Sequence, residues 1–251
     1  MNNRIHILNT HIDNLSMQET LSLVDSKISA HESLHHTVVN AGKIVAMQND
    51  GVLRQSVNEA DLINADGQAV IWASKLLGQP LKERVAGIDL FENLIGLARE
   101  KNHSIYLLGA KEEVVNKLVG IIEDEYGSEV IAGYRNGYFT ADEEAGIVNE
   151  IVNSKANMLF VAMSSPKKEI FLHQHRKALK SVNFIMGVGG SFDVLGGKTK
   201  RAPIWMQKAG LEWFYRFLQE PKRMWKRYLV GNTKFIFLTF KSLFKSDQKS
   251  K

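Results

Sequence analysis

The chain has 251 residues, 44% of them hydrophobic and 24% charged, a balance that excludes a disordered polypeptide and supplies enough apolar surface for a sizeable core. It contains no cysteine, which excludes disulfides, thiolate metal sites, iron–sulfur clusters and cysteine nucleophiles. The net charge of +5 conceals a division, because residues 198–251 carry 14 Lys and Arg against Glu212, Glu220 and Asp247 and hold 11 of the 22 aromatic residues.

In chain order, the first residues, Met1-Asn2-Asn3-Arg4-Ile5-His6, lack the apolar run of a signal peptide, and Arg4–His11 reads as a strand. Ser16-Met17-Gln18-Glu19 is a capping box that opens a helix through about Ser29. A strand follows at His36–Val39, then helices at Lys43–Gln48 and Val52–Ser56, a strand at Asp61–Asn64 and a helix at Gln68–Leu77, which Gly78-Gln79-Pro80 breaks. Ile88–Lys101 reads as helix, Ser104–Leu108 as strand, Lys111–Tyr126 as helix and Glu129–Ala132 as strand. The alternation continues with a helix at Ala141–Asn153, a strand at Met158–Ala162, a helix at Lys167–Leu179 and a strand at Phe184–Val188. Short apolar strands separated by amphipathic helices predict an α/β fold: a doubly wound, mostly parallel, Rossmann-like sheet flanked by helices. The expected division is a catalytic body at 1–197 and a basic, aromatic-rich helical appendage at 198–251. No run of eighteen apolar residues predicts a membrane-spanning helix.

In a doubly wound sheet, ligands bind outside the carboxyl ends of the strands, so the residues there are the candidates for chemistry. Asp66, before Gly67, projects a carboxylate toward such a crevice or serves as a turn or cap residue. Arg84 and Asp89 either clamp a phosphate or form a surface pair and an N-cap. Gly187-Val188-Gly189-Gly190-Ser191-Phe192-Asp193 can bring backbone N–H groups close to a diphosphate, with Asp193 either a ribose or base acceptor or a turn residue. Phe192 occupies the place of the third glycine of a dinucleotide fingerprint, which argues against an NAD-type oxidoreductase. Ser165-Pro166-Lys167-Lys168-Glu169 starts a helix whose free N–H groups and two lysines either converge on an anion or are simply solvated. Neither His35-His36 nor His173 with His175 has metal-ligand spacing, so no metal site is expected.

The ordered motifs resemble the WecG/TagA/CpsF glycosyltransferases, family 26 of that class, from about His36 to Leu229. They are Val39-Asn40, Ala65-Asp66-Gly67, Arg84 through Leu90, Leu107-Leu108-Gly109, Asn136-Gly137-Tyr138-Phe139, Ser165-Pro166-Lys167-x-Glu169, Gly187 through Asp193, Lys200-Arg201-Ala202-Pro203, Gly210-Leu211-Glu212-Trp213 and Gln219-Glu220-Pro221. The resemblance implies an inverting, metal-independent transferase without a cofactor. It moves a sugar (N-acetylmannosamine, its uronic acid or a hexose) from a UDP donor to a polyprenyl-diphosphate-linked sugar in assembly of a bacterial surface polymer. It implies Asp66 as catalytic base with Asn40 near it, and Arg84 is a further catalytic candidate, to stabilise the departing diphosphate. It places Tyr138 and Asp193 among the UDP contacts, and Asp89, Gly109, Lys167, Lys168, Gly189, Gly190, Lys200 and Arg201 are further expected substrate contacts. The sequence departs at Lys168, where members usually carry Gln, and at Val38, where some carry Thr.

In the tail, Lys222, Arg223, Lys226 and Arg227 fall on one side of a helical wheel and Met224, Trp225, Tyr228 and Leu229 on the other. Lys234, Lys241 and Lys245 flank a segment rich in Phe235, Ile236, Phe237, Leu238, Phe240 and Phe244. This pattern suits an interfacial helix on an anionic membrane surface, with Arg216 reaching the acceptor diphosphate, or a helical pair docked on the body. The enzyme is thus expected on the cytoplasmic face of the plasma membrane. Self-association stays open, and a nucleic-acid-binding role has no signature motif behind it.

Overall fold

The computed structural model describes residues 4–219, 221, 225 and 230–247. Lys222, Arg223, Met224, Lys226, Arg227, Tyr228 and Leu229, the bulk of the expected basic helix, lie outside the described residues. The chain opens with a hairpin, β1 (Arg4–Ile7) and β2 (Thr10–Asp13), followed by α1 (Met17–Ser29), β3 (Leu34–Val39), α2 (Ala41–Asn49), α3 (Gly51–Asn58) and β4 (Leu62–Ala65). Then come α4 (Gln68–Leu76), α5 (Gly87–Glu100), β5 (Ile105–Gly109), α6 (Glu112–Tyr126), β6 (Ile131–Arg135), α7 (Glu144–Asn153), β7 (Met158–Ala162), α8 (Lys167–Gln174) and β8 (Phe184–Gly187). The last elements are α9 (Ser191–Leu195), α10 (Ile204–Lys208), α11 (Glu212–Gln219) and α12 (Gly231–Asp247).

Strands β3 to β8 form one parallel sheet in the order β4-β3-β8-β7-β5-β6, the doubly wound α/β arrangement that the alternation predicts. Side chains alternate between its faces. Leu34, Leu62, Leu107, Phe160, Phe184 and Met186 pack beneath α1, α5 and α6, whereas Val39, Ile63 and Ala65 face α2, α3 and α4. Leu108, Leu159, Val161 and Ile185 face α7 and α8. Both faces are covered, as a parallel sheet requires.

Among the expected bounds that change, three do so for a local reason. The single strand expected at Arg4–His11 is a hairpin, turned by Leu8 at φ 48° and Asn9 at φ 64°. Two consecutive positive φ values are what a tight hairpin turn needs, and Leu is an unusual residue to supply one. The strand expected at Glu129–Ala132 starts later, at Ile131, after a short 3₁₀ turn, and its polar end is explained by its place at the sheet edge. Helix α8 stops at Gln174, and a separate 3₁₀ turn covers Ala178–Ser181.

The hairpin lies along the outer side of β4. Asp13 accepts from the Ile63 amide at 2.8 Å and holds the Arg4 guanidinium through both oxygens. At the other end of the chain, α12 packs on α2 and α4. Its Phe235 is 2% exposed and joins the cluster of Ile44, Val70 and Ile71, and Thr239 one turn later is also buried. The opposite side of α12 presents Ile236, Phe237, Phe240 and Phe244 to solvent beside the exposed Lys234 and Lys241. Among the described residues no helix is long and apolar enough to cross a membrane.

Candidate active site

The ends of β3 and β4 create the first half of the site. Their register pairs Val39 with Ala65, so Asn40 and Asp66 are the next residues on neighbouring parallel strands, and the Asp66 amide donates to Val39 O at 2.8 Å. Asn40 caps α2 by accepting from the Lys43 amide at 3.0 Å, which commits Oδ1 to the helix and leaves the amide NH₂ end as a donor for a ligand. Gly67 has φ +144°, a backbone conformation that glycine takes without strain, and it carries the chain past Asn40 from Asp66 into α4.

The segment 84–89 is pinned to the same place by a hydrogen bond from the Val85 amide to Ala65 O at 3.0 Å. Gly87 is the first residue of α5, and a Cβ built on it would lie 3.5 Å from Asp66 Oδ2 and 3.6 Å from Val38 Cγ2. The Asp66 carboxylate therefore rests at a helix N-terminus, where the dipole favours a negative charge. The carboxylate of Asp66 and the side chain of Asn40 thus stand together at adjacent strand ends, next to the first turn of α5.

Arg84, read as either a phosphate clamp or a surface pair, and Arg201, an expected substrate contact, are each joined to carboxylates. Arg84 Nη1 donates to Glu212 at 3.3 Å, and Arg201 donates to Glu92 at 2.8 Å and to Asp89. Two guanidiniums and three carboxylates thus tie α5 to α11 beside Asp66. Lys200 is exposed and its carbonyl accepts from Gln219 Nε2 at 3.0 Å. Arg216 lies on α11.

The second half of the site comes from β8, β7, β5 and β6. Space above Gly189 and Gly190 is open, and Phe192 is fully buried against Phe91, which anchors the loop from below. Asp193 pairs with Lys198 Nζ at 3.0 Å. Lys167 begins α8 after the cis Ser165–Pro166 bond and lies 4.5 Å above the Phe139 ring, a cation–π contact that brings the 136–139 loop to the helix N-terminus. Tyr138 is 70% exposed next to it. Gly109 has φ +135°, and a Cβ would be 2.4 Å from Ala162 O, so only glycine lets β5 end against β7 here.

Lys168 does not reach the open crevice. It is 7% exposed and its ammonium is 2.7 Å from Glu169, because α8 turns that side of its first turn toward the sheet. Glu169 also holds Lys43 at 2.8 Å. Lys43 went unnoticed in the sequence, where a lysine in an amphipathic helix reads as solvated; its spacing three residues after a capping Asn was the available signal. Among the described residues no group of three or more His, Asp or Glu is placed to hold a metal ion.

Buried histidines lie under the same strands. Asn64 Nδ2 bonds Thr20, so its Oδ1 accepts from His36 Nε2 at 2.9 Å. Burial pushes His36 down to about 3 and His35 to about 4, against the Asn64 bond and Asp61 that act the other way. In the unfolded chain both take a proton as pH falls below about 6.5, whereas in the folded chain they stay neutral until their lowered values are reached. Stability should therefore fall with pH, by about 2 kcal/mol for each histidine between pH 6.5 and 5. Urea melts at the two pH values measure this; His36→Gln should remove about half of the loss, and equal stability at both would contradict the burial argument.

Residues 5–249 match the family described as Glycosyl transferase WecG/TagA/CpsF family. An N-acetylglucosaminyldiphosphoundecaprenol N-acetyl-beta-D-mannosaminyltransferase of Bacillus subtilis strain 168 is 38% identical over 207 residues, covering 82% of this chain and 77% of the relative. A protein of the same name from Bacillus spizizenii strain W23 is 34% identical over 221 residues, covering 83% and 84%.

Proposed function

The chain belongs to the WecG/TagA/CpsF family of glycosyltransferases, and from that premise we propose that it transfers a sugar from a UDP donor to a polyprenyl-diphosphate-linked sugar, with inversion and without a metal ion. The observation that carries the reading is the placement of Asp66 beside Asn40 at adjacent strand ends, facing the first turn of α5. Asp66 takes the proton of the acceptor hydroxyl as its oxygen bonds to the anomeric carbon, and the bond from that carbon to the UDP oxygen breaks on the opposite face. The departing diphosphate gains negative charge. Lys167, the free N–H groups at the start of α8 and the open Gly189-Gly190 backbone supply the compensating field. Tyr138 and Asp193 bind the nucleoside, and Asn40 orients the acceptor.

A polyprenyl acceptor stays in the bilayer while a UDP-sugar is water-soluble, so the two must meet at a surface. We assign residues 198–251 to that surface, at the cytoplasmic face of the plasma membrane. The exposed Phe237, Phe240 and Phe244 beside Lys234 and Lys241, and the positive charge of the tail, support this.

The names of the relatives make UDP-N-acetylmannosamine the first donor to try, with N-acetylglucosamine on a short lipid diphosphate as acceptor. Transfer should persist in EDTA and give a product of opposite anomeric configuration by NMR. A strict Mg²⁺ or Mn²⁺ requirement, retention of configuration, or thermal stabilisation by NAD and not by UDP would refute the corresponding part.

A further inference from the structure

One buried carboxylate touches three parts of the crevice floor. Glu169 Oε1 lies 2.8 Å from Lys43 Nζ and 2.7 Å from Lys168 Nζ, with all three side chains less than a tenth exposed. The Lys43 ammonium also donates to Val38 O at 2.6 Å, two residues before Asn40, and the Lys43 amide is the group that Asn40 caps. The Lys168 stem crosses the end of β8, where a Cβ on Gly187 would be 3.0 Å from its Cδ and Cε. Through one anion, the end of β3, the start of α8 and the end of β8 are joined.

Stability alone does not account for such a cluster. Dehydrating three charges offsets much of their attraction, and apolar residues of similar volume serve a core as well or better. The cluster instead fixes distances between loops that the fold would otherwise leave to vary. Burial pushes the Glu169 carboxyl up, but Lys43 and Lys168 together outweigh it and hold it down to about 2, so the anion persists at any working pH.

We propose that Glu169 is a positioning residue that, through Lys43 and Lys168, locks the Asn40 loop and the start of α8 into the one arrangement in which the acceptor side and the diphosphate side of the crevice meet the same donor. Lys168 then acts on the donor through Glu169 and Gly187, without touching it. The inference rests on the UDP-donor reading above for its catalytic consequence, but the coupling between the two loops does not depend on the donor's identity.

The test uses the full chain. Glu169→Gln strands two buried ammonium groups and is expected to melt early, so the informative variant is K43M/K168Q/E169Q, which leaves no charge of the cluster buried and should melt close to the parent. In that variant kcat should fall by about tenfold or more, since small misplacements of reacting groups have large effects on rate. Hydrogen exchange followed by mass spectrometry should show faster exchange in both 38–44 and 163–170. A folded triple variant with parental kcat overturns the positioning role, and unchanged exchange in either segment overturns the coupling. If the parent itself fails to transfer from any UDP-sugar, the donor reading falls separately, and the exchange data alone decide whether the two loops are coupled.

Discussion

Asp66→Asn is expected to lower turnover by about 10²–10⁴-fold, the usual contribution of a general base, while UDP binding stays nearly unchanged. The substitution keeps the shape of the side chain at the Gly87 end of α5 and removes only its basicity. With Asp66 acting on the acceptor hydroxyl, as proposed, the loss should appear in kcat rather than in the donor KM. Asn40→Ala should act on the same step more weakly and also loosen α2, whose cap it removes at about 1 kcal/mol. Glycosyl transfer measured under donor saturation, with UDP titrated by calorimetry in parallel, separates these effects. Near-parental turnover in Asp66→Asn would remove the residue from the chemistry.

Truncation after Gly197 should have a comparably large effect, on stability and on attachment to lipid together. It withdraws Phe235 from the cluster of Ile44, Val70 and Ile71, a loss of about 3–5 kcal/mol if the slot does not collapse, and it leaves Asp89, Glu92 and Arg84 without Arg201 and Glu212. A melting-temperature fall on the order of 10 °C follows for a chain of this size. The two sides of α12 can be separated by point changes. Phe235→Ala should reproduce most of the thermal loss and still float with anionic vesicles, whereas F237E/F240E/F244E should melt like the parent and lose flotation. Flotation of the parent should weaken with salt. Should the triple glutamate variant float undiminished, contact with lipid lies elsewhere on the chain.

The strand-end residues were legible because short apolar runs and their glycines carry local information. Val39-Asn40, Ala65-Asp66-Gly67 and Gly187 through Gly190 all stand where the alternation of elements puts them. What the sequence conceals is pairing between distant side chains. Nothing near Arg84 announces Glu212, and Lys168 next to Lys167 reads as the second of two cations facing an anion until the turn of α8 directs it inward onto Glu169. Phe235 and Phe237 are equally aromatic in the sequence, yet one is core and the other faces solvent, a difference of helix phase that only the docking of α12 on α2 decides. The Leu8–Asn9 turn was hidden for another reason, since its backbone angles run against the preference of Leu.

The β1–β2 hairpin bears on how the molecule behaves when crowded. An outer strand of a parallel sheet offers a row of unmet N–H and C=O groups to any passing chain, and such rows seed fibrils. On β4 the Ile63 N–H ends on a side-chain carboxylate, which can accept a hydrogen bond but cannot continue a ladder, and Arg4 covers the Asp61 carbonyl beyond it. Residues 4–13 therefore work as a stopper: without them the apolar edge of β4 would be open to other copies of the chain at high concentration.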